Sequence, residues 1–586
     1  MSYELNTTQE KLSNMDALRA LWPLLADEKK ILIYAGIATL VNSLINLAAP
    51  LLIARIVDNN IVAGKFDGVM SASGVLLLLY TAGLFSSYAQ TRLMGGMGQR
   101  TLFNLRTKIF GKLQELPVAF FHANKTGDLI SRINNDTDKL NQFFSQTLVR
   151  FVGSLFIMVG AAIFIVVINW RLGLAALAPA AALLVFTQIL SPWVKRTNAS
   201  SLTSTGNLSA EVSESINNFK VVVAFNRRDF FRTRFEVAND ANYRAAVKAG
   251  VANNTFTPVF GFSANAAQLI VLTYGMYLIS TGSFTLGLLV GFLSYITNFY
   301  NPLRQIAALW SNFQVALAGW DRISAILQMK NDMVVLPSPA GAAPASGSAL
   351  LEFRDVSFHY ATGGDVLHDV NFALEVGKTY ALVGPTGGGK TTTASLMARL
   401  YDATAGTVYL DGSDIRTLTA EERTKKIGFI LQEPILFSGT VRENILYGNE
   451  EYAHFSNEDL LQAIHDAGLE GLLSRFDGGL EAKVATSGDA LSLGQKQLIA
   501  FMRSVLRNPE LLILDEATAN IDTVTEQLLE DILKNLPTHT TKVIIAHRLN
   551  TIENADEIFF VNGGAVTRAG SMEQAVDMLL HGKRAS

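Results

Sequence analysis

Gly384-Pro385-Thr386-Gly387-Gly388-Gly389-Lys390-Thr391 reads G-x-x-x-x-G-K-T and lies between an apolar run, 380–383, and a helix-prone stretch, 392–400. Glycines let backbone N–H groups curl around phosphates, and the helix that follows directs its positive end at them. We expect Lys390 to neutralise the outer phosphates of a nucleoside triphosphate and Thr391 to bind Mg²⁺. A chance lysine in a glycine-rich turn is the alternative, but the strand before and the helix after favour phosphate binding.

The first half of the chain is unusually apolar. The chain has 586 residues, of which 49% are hydrophobic, so we expect more than one domain. Six stretches before residue 304 contain no Asp, Glu, Lys or Arg, and each approaches or exceeds the roughly 20 helical residues that span a bilayer. They are Ile31–Leu52, Val69–Ala89, Phe151–Ile168, Leu172–Val194, Val251–Ile279 and Phe284–Leu303. A buried helix of a soluble protein could imitate one of them but not six, so we expect six membrane helices.

Charge in the connections predicts the orientation. The segments 92–150 and 195–248 carry nine Lys and Arg each, whereas the connections on the opposite side carry only Arg55, Lys65 and Arg171. The positive-inside rule then places the two long connections and both termini in the cytoplasm. No basic tract indicates a nucleic acid partner, and the absence of cysteine excludes disulfides and thiolate metal sites.

Both long connections keep helical periodicity, so we expect membrane helices that run on into the cytoplasm and return. Their tips carry the aromatic pairs Phe120-Phe121 and Phe230-Phe231. Exposed aromatic pairs far from the membrane predict a partner surface, and the alternative is that each pair caps its own helical hairpin.

A Pro-, Gly- and Ala-rich segment, 333–349, has the composition of a linker. We therefore expect an all-α six-helix transmembrane domain with long cytoplasmic extensions over 1–332, the linker over 333–349, and an α/β ATP-binding domain over 350–586. Strand-like alternation from Leu351 onward, followed by repeated switches between strand and helix, supports the α/β prediction.

Three further apolar strands end in residues suited to phosphoryl transfer. The run 511–514 ends at Asp515 and Glu516, the run 543–545 leads to His547, and the run 427–431 ends at Gln432. In our interpretation Asp515 holds Mg²⁺, Glu516 polarises the attacking water, His547 contacts the γ-phosphate, and Gln432 reaches both the metal and the water. A strand-end His or Gln alone is usually structural, and here the phosphate loop in the same domain favours function.

The segment 491–495, L-S-L-G-Q, begins a helix with Ser492 as its N-cap. A helix start of this kind is a second anion site, formed by Ser492, Gly494 and Gln495. If the two sites lie on different flanks of the domain, one chain cannot close both around one triphosphate, so we expect two chains head to tail.

Together these motifs resemble those of the ATP-binding cassette (ABC) transporters, in the family's order and spacing and over essentially the whole chain. The resemblance implies a half-transporter of the exporter architecture that dimerises, with the hairpin tips as coupling helices. It also implies an adenine-stacking role for Tyr360 and adds Thr392 and Asp522 to the nucleotide-binding residues. The implied cofactors are ATP and Mg²⁺.

Leu493 departs from the commonest family form, L-S-G-G-Q. An atypical motif beside an intact set of Lys390, Asp515, Glu516 and His547 resembles the catalytically intact half of a heterodimeric multidrug exporter. A homodimer that tolerates Leu493 is the alternative.

The crossings contain amides and aromatics but no central acid or base, which favours a hydrophobic or amphipathic cargo moved by ATP, with membrane lipid around the bundle. The amides are Asn42, Asn46, Gln188, Asn265, Gln268 and Asn298, and the aromatics are Phe292, Tyr295, Phe299 and Tyr300. Alternatively, the amides only bond helix to helix. We therefore expect a multi-pass exporter in a bacterial inner membrane. An ATP-gated channel or regulatory subunit, and an importer on the exporter fold, are the alternatives.

Overall fold

The computed structural model describes residues 3–5, 28–337, 349–361, 363–484, 491–515, 523–545, 554–570, 573–574 and 577–578. The chain divides into two compact units. One unit comprises Thr8–Gln114 and Gly127–Gln328. The other comprises Met1–Thr7, Glu115–Thr126 and Met329–Ser586.

The first unit is helical, and each of the six apolar stretches lies wholly or almost wholly in helical structure. Its helices are α1 (Lys29–Ile56), α2 (Phe66–Glu115), α4 (Thr126–Ser131), α5 (Thr137–Gln142), α6 (Leu148–Ile168), α7 (Trp170–Asn217), α8 (Phe219–Ala224), α9 (Arg228–Asn254), α10 (Phe256–Ser280) and α11 (Leu286–Gln328). Within the described residues, five helical segments are long and apolar enough to cross a membrane: Lys29–Ile61, Phe66–Glu115, Thr126–Ile168, Trp170–Asn217 and Arg228–Ser280. The sixth apolar stretch falls almost wholly in α11. The prediction of a helical unit with long apolar helices is therefore confirmed, and the number of six crossings stays a prediction.

The core of this unit is formed by α1, α6, α7, α10 and α11. Phe292 and Tyr295 on α11 are fully buried against small residues such as Ala176 and Ala267. Small residues let membrane helices approach closely, and the large rings then fill the space between them. Phe292 and Tyr295 therefore belong to the packed core of the bundle.

The two hairpin tips differ in exposure. At the first tip, Phe120 on α3 (Val118–Ala123) is fully buried, with its ring edge-on to Tyr3 and Phe121. Phe121 is 45% exposed, but the expectation that its neighbour is exposed too is wrong for Phe120. The reason is that Tyr3, itself buried, covers Phe120 and donates its hydroxyl to Asp332.

The second tip exposes its aromatic residues. Phe225 is 75% exposed, and Phe219 and Phe230 are more than half exposed. Phe230 and Phe231 form an edge-to-face pair, and the guanidinium of Arg234 lies 5.8 Å from each ring centroid. The second tip therefore carries the apolar surface that the sequence predicted.

The second unit contains the α/β domain. Its strands are β1 (Ala349–His359), β2 (Asp365–Glu375), β3 (Thr379–Val383), β4 (Ala405–Leu410), β5 (Ser413–Asp414), β6 (Ile427–Ile430), β7 (Gly439–Thr440), β8 (Lys483–Val484), β9 (Leu511–Asp515), β10 (Thr541–Ile545), β11 (Glu557–Asn562) and β12 (Ala565–Ala569). Its helices are α12 (Lys390–Met397), α13 (Ala420–Lys426), α14 (Val441–Ile445), α15 (Asn457–Asp466), α16 (Glu470–Leu473), α17 (Leu493–Val505) and α18 (Thr523–Asn535).

Among the described strands, the central sheet has the order β12-β11-β3-β10-β9-β6, and a second sheet has the order β2-β1-β4-β5. In the central sheet β11, β3, β10, β9 and β6 are parallel, so their carboxyl ends meet at one edge. The strands β3 and β9 are almost entirely buried, which explains their continuous apolar runs. The site described below lies at this edge.

Candidate functional site

The phosphate loop joins β3 to α12. Gly387 has φ 81° and Gly389, the residue before the helix, has φ 112°, both in the region that favours glycine. A Cβ at Gly388 would lie 2.6 Å from the carbonyl oxygen of Val561. The loop therefore requires glycine for its backbone conformation and for its close approach to β11.

Lys390 is the first residue of α12, and its side chain folds back into the loop. Its Nζ donates to the carbonyl oxygens of Gly384 at 2.9 Å and Pro385 at 3.1 Å. The residue is only 6% exposed. A buried ammonium requires acceptors, and these carbonyls hold it among the backbone groups that would surround a phosphate. Thr386 and Thr392 lie in the same loop and helix start.

Thr391 and Asp515 meet at the edge of the sheet. The Oγ1 of Thr391 lies 3.5 Å from Oδ1 of Asp515, which ends the fully buried strand β9 and is 2% exposed. Hydroxyl and carboxylate oxygens are ligands that Mg²⁺ accepts, and the phosphate oxygens and waters of a bound nucleotide would complete its shell. The two side chains therefore fit a magnesium ion.

The register of the central sheet determines which strand ends lie beside Asp515, and the other predicted catalytic residues follow those strand ends. Ile430 pairs with Leu514, and Ile545 pairs with both Asp515 and Leu382. Gln432, two residues after β6, is thus carried to the same edge as Asp515, and its side chain is exposed. Glu516, Asp522 and His547 lie outside the described residues, so the structure reaches only the strands that precede Glu516 and His547.

Tyr360 follows β1 and lies beside the phosphate loop. Its hydroxyl is 3.0 Å from Oγ1 of Thr392. Its ring stands edge-on to Phe358, with the centroids 4.9 Å apart, and to Tyr401, at 5.4 Å. Sequence reasoning missed Tyr401, whose only local signal was its place just after α12; burial raises the pKa of its hydroxyl.

The segment 491–495 forms the predicted helix start. The Oγ of Ser492 accepts from the backbone N–H of Gln495 at 3.1 Å, and Oε1 of Gln495 accepts from the backbone N–H of Ser492 at 3.0 Å. This reciprocal capping box fixes the first turn of α17. Gly494 lies in that turn, and the side chain of Leu493 is 43% exposed. Leu493 therefore projects from the helix start that is proposed to meet a phosphate.

One amide side chain of the membrane unit bonds two helices together, and another bonds within its own helix. Nδ2 of Asn298 donates to the carbonyl oxygen of Asn46 at 3.0 Å, and Nδ2 of Asn46 donates to the carbonyl oxygen of Asn42 at 2.8 Å. Pro50 lies one helical turn after Asn46 and has no N–H to bond that carbonyl. Asn298 thus supplies the hydrogen bond that Pro50 leaves out of α1.

Comparison with known proteins agrees with this architecture. Residues 32–303 match the family model for the ABC transporter transmembrane region, and residues 367–519 match the model described as ABC transporter. The first match covers the apolar helices, and the second includes the phosphate loop and the strand that ends at Asp515.

Curated relatives match along most of their length. A fatty acid ABC transporter ATP-binding/permease protein of Mycobacterium tuberculosis is 33% identical over 87% of this chain and 80% of its own. An uncharacterized ABC transporter ATP-binding protein of Bacillus subtilis is 32% identical over 95% and 92%. A multidrug resistance ABC transporter ATP-binding and permease protein of Lactococcus lactis is 31% identical over 92% and 90%. The chain therefore belongs to the exporter-type ABC transporters and is a multi-pass membrane protein with a transport-coupled ATPase in the same polypeptide.

Proposed function

We propose that this protein exports hydrophobic or amphipathic compounds across a bacterial inner membrane and works as a dimer that closes around ATP. The observation that carries the proposal is the pairing of Thr391 with Asp515 beside the phosphate loop, in a chain whose other unit is a bundle of apolar helices. Relatives named for fatty acids and for multidrug resistance support the cargo class.

In the proposed cycle, the phosphate loop binds ATP and Lys390 leaves its carbonyl partners for the outer phosphates. Thr391, Asp515 and Gln432 would hold Mg²⁺, which supplies charge neutralisation between the phosphates when bound. Glu516 orients and polarises the attacking water, and His547 contacts the γ-phosphate. Tyr360 stacks on adenine, and Asp522 adjoins the nucleotide.

Ser492, Gly494 and Gln495 of a second chain would close the other side of the same nucleotide. In the capping box the Ser492 hydroxyl accepts from Gln495 N–H, so its own hydrogen can be donated to a phosphate oxygen. A heterodimer is favoured over a homodimer because Leu493 makes this half of the site atypical. The cytoplasmic position of the ATP-binding domain follows from the basic connections.

The test is transport into inside-out proteoliposomes that contain the purified protein with any chain that co-purifies. We expect a fluorescent amphiphile to accumulate when ATP is added. Lys390→Ala should abolish accumulation and ATP turnover, whereas Lys425→Ala, at an exposed surface pair, should leave both unchanged. Absence of ATP-dependent movement of every amphiphile tried would contradict the proposal. Ion current across a planar bilayer would indicate a channel, and accumulation only in right-side-out vesicles would indicate an importer.

A further inference from the structure

The rotation of α11 about its axis is fixed by three hydrogen bonds to neighbouring helices. The donors are side chains of α11, and the acceptors are backbone carbonyl oxygens of α1 and α7. The bonds run from Tyr295 to Leu47 (2.6 Å), from Tyr300 to Ala176 (2.9 Å) and from Asn298 to Asn46 (3.0 Å). The face of α11 opposite these contacts is therefore defined by the structure.

That face carries Ser294, Thr297, Asn301 and Arg304, which we name the polar stripe. Spacings of three, four and three residues place them on one side of a helix. Thr297, Asn301 and Arg304 are exposed, and Ser294 is half-buried. Phe292 and Ile296 are fully buried, so the stripe lies away from the packed core.

The polar groups of the stripe differ in how they are satisfied. The hydroxyls of Ser294 and Thr297 each donate to a carbonyl oxygen of their own helix at 3.2 Å. Within the described part of the chain, the side chains of Asn301 and Arg304 make no hydrogen bond or ion pair. The amide of Asn301 lies within the sixth apolar stretch, where lipid hydrocarbon does not solvate it, and the guanidinium of Arg304 follows directly after that stretch. This face therefore favours water, a second chain or a polar ligand.

Long segments of the membrane unit contain basic residues and no acidic ones. The segments 68–114, 139–210 and 241–320 contain thirteen Lys and Arg and no Asp or Glu. The positive-inside rule explains basic residues in the flanking connections but does not require the absence of acids. Arg304 therefore lies on a polar face with no carboxylate along its own helix until Asp321.

The same face becomes apolar toward the start of α11. Leu286 is 51% exposed and Val290 is 36% exposed, and both continue the stripe at helical spacing. From Arg304 to Val290 the helix rises about 21 Å, which is more than half the thickness of the hydrocarbon layer. A ligand with a charged head group and a long apolar tail would match this face, which is polar near Arg304 and apolar near Leu286.

We infer that the polar stripe binds the negatively charged head group of a single-chain amphiphile, with Arg304 on the head group and the tail along Val290 and Leu286. The shared chemistry is an oxyanion, either a carboxylate or a phosphate, which a guanidinium can bind with two parallel hydrogen bonds. The inference rests on the proposed export function and specifies the class of cargo.

The first test does not depend on transport. Because the chain contains no cysteine, Asn301→Cys provides a single thiol on the stripe. We expect a charged, membrane-impermeant thiol reagent to label it in proteoliposomes, and a C16 carboxylate, but not its methyl ester, to slow the labelling. Failure to label, or equal protection by the acid and the ester, would overturn the inference.

The second test is transport by Arg304 variants, with Arg92→Gln as the matched control because Arg92 is an exposed arginine of α2 outside the stripe. Arg304→Gln should raise the half-saturating concentration of the C16 carboxylate about tenfold or more and leave that of the ester unchanged. The half-saturating concentration for Arg304→Lys should lie between those of Arg304→Gln and the unmodified protein, and that for Arg92→Gln should equal the unmodified value. A lysophosphatidic acid of equal chain length separates phosphate from carboxylate heads.

An equal effect of Arg304→Gln on acid and ester would show a structural role for Arg304 and overturn the inference. Transport of neutral or cationic amphiphiles alone would overturn it while leaving the export function intact. If no amphiphile moved at all, the export function would fail, and the labelling test would still decide whether the stripe binds an anion.

Discussion

The carboxylate of Asp58 caps a helix other than its own, since its Oδ1 accepts from the backbone N–H of Gly287 at 2.8 Å. Its second oxygen, Oδ2, accepts from the hydroxyl of Thr285 at 2.5 Å. Asp58 lies in the π-helical turn Val57–Ile61 that follows α1, and Gly287 lies in the first turn of α11. The helices α1 and α11 are therefore joined by a side-chain N-cap.

Removing this cap should destabilise the membrane unit. Asp58→Ala loses both acceptor oxygens, and we expect the apparent Tm in detergent to fall by about 2 to 4 °C. The Tm of Asp58→Asn should lie between those of Asp58→Ala and the unmodified protein. Gly287→Ala should also destabilise, because its Cβ would lie 2.1 Å from the carbonyl oxygen of Ala54. Asp67→Asn, an exposed acid nearby in sequence, is the control. Equal Tm values for Asp58→Ala and the control would contradict the cap.

Glu516→Gln should separate ATP binding from hydrolysis. The amide preserves the shape of the side chain but cannot polarise water, so we expect ATP turnover to fall about a hundredfold or more while ATP binding persists. ATP should then hold two chains in a closed complex, seen by size exclusion. Glu510→Gln, at a partly exposed acid just before β9, should retain full turnover. Unchanged turnover in Glu516→Gln would remove Glu516 from its proposed role.

Leu493→Gly tests whether the exposed leucine side chain obstructs the phosphate. Removing it lets the start of α17 approach more closely, and one additional backbone hydrogen bond predicts a rise in ATP turnover of about two- to tenfold. Leu493→Ala should give a smaller rise. Steady-state ATPase assays at saturating ATP decide the matter, and no change in either variant would show that Leu493 does not limit the site.

If the second tip acts as a coupling helix, as the family resemblance implies, we expect it to meet an ATP-binding domain, and a cross-link tests whether that domain belongs to a second chain. Phe225 is 75% exposed, and the segment after Gln432 exposes Phe437 against Tyr447, with ring centroids 4.4 Å apart. We expect Phe225→Cys in one tagged chain to cross-link to Phe437→Cys in a chain of different size. The background contains no other thiol.

The control for this experiment is Val376→Cys, which is 54% exposed in the same domain but lies between β2 and β3. It should not cross-link to Phe225→Cys. A product between two copies of this chain would demonstrate that a homodimer can form, whereas the absence of any product, with both cysteines carried by this chain, would favour the heterodimer. Equal cross-linking to both positions would argue against a specific contact.

Asp321 makes stability depend on pH. Burial raises its pKa above the ordinary value of 3.8, and its Oδ1 is buried with no hydrogen-bond partner among the described residues. About 18 residues of helix separate it from the end of the sixth crossing, roughly 27 Å, so it lies outside the membrane.

Because the folded pKa is raised, the stability contribution is present below 3.8 and is lost as pH rises through the folded pKa. Asp321→Asn should therefore raise the apparent Tm at pH 7 to 8, and the gain should shrink as pH falls toward 4. Glu28→Gln is the opposite control, because the hydrogen bond from Arg100 lowers the pKa of Glu28. A lower Tm for Asp321→Asn at pH 8 would show that the charge is needed.

Sequence motifs of a few residues predicted the loops, strands and helix caps that those same residues form. The phosphate loop, the apolar strand before Asp515 and the Ser492 cap each depend on a few consecutive residues, and the structure forms all three. Contacts between distant residues were not predictable in this way. Tyr3 covering Phe120, Tyr401 beside Tyr360 and Asp58 capping α11 each join separate parts of the sequence, and none leaves a periodic signal.

The hydrogen bond from Asn298 to Asn46 links bending of α1 to rotation of α11 about its axis. A proline in mid-helix allows a kink, and at Pro50 the carbonyl that would otherwise be left without a donor is held by a side chain from another helix. A change in the kink of α1 displaces that carbonyl, and α11 must either turn with it or lose the bond. Bending of α1 at Pro50 and rotation of α11, the helix that carries Arg304, are therefore coupled through one hydrogen bond.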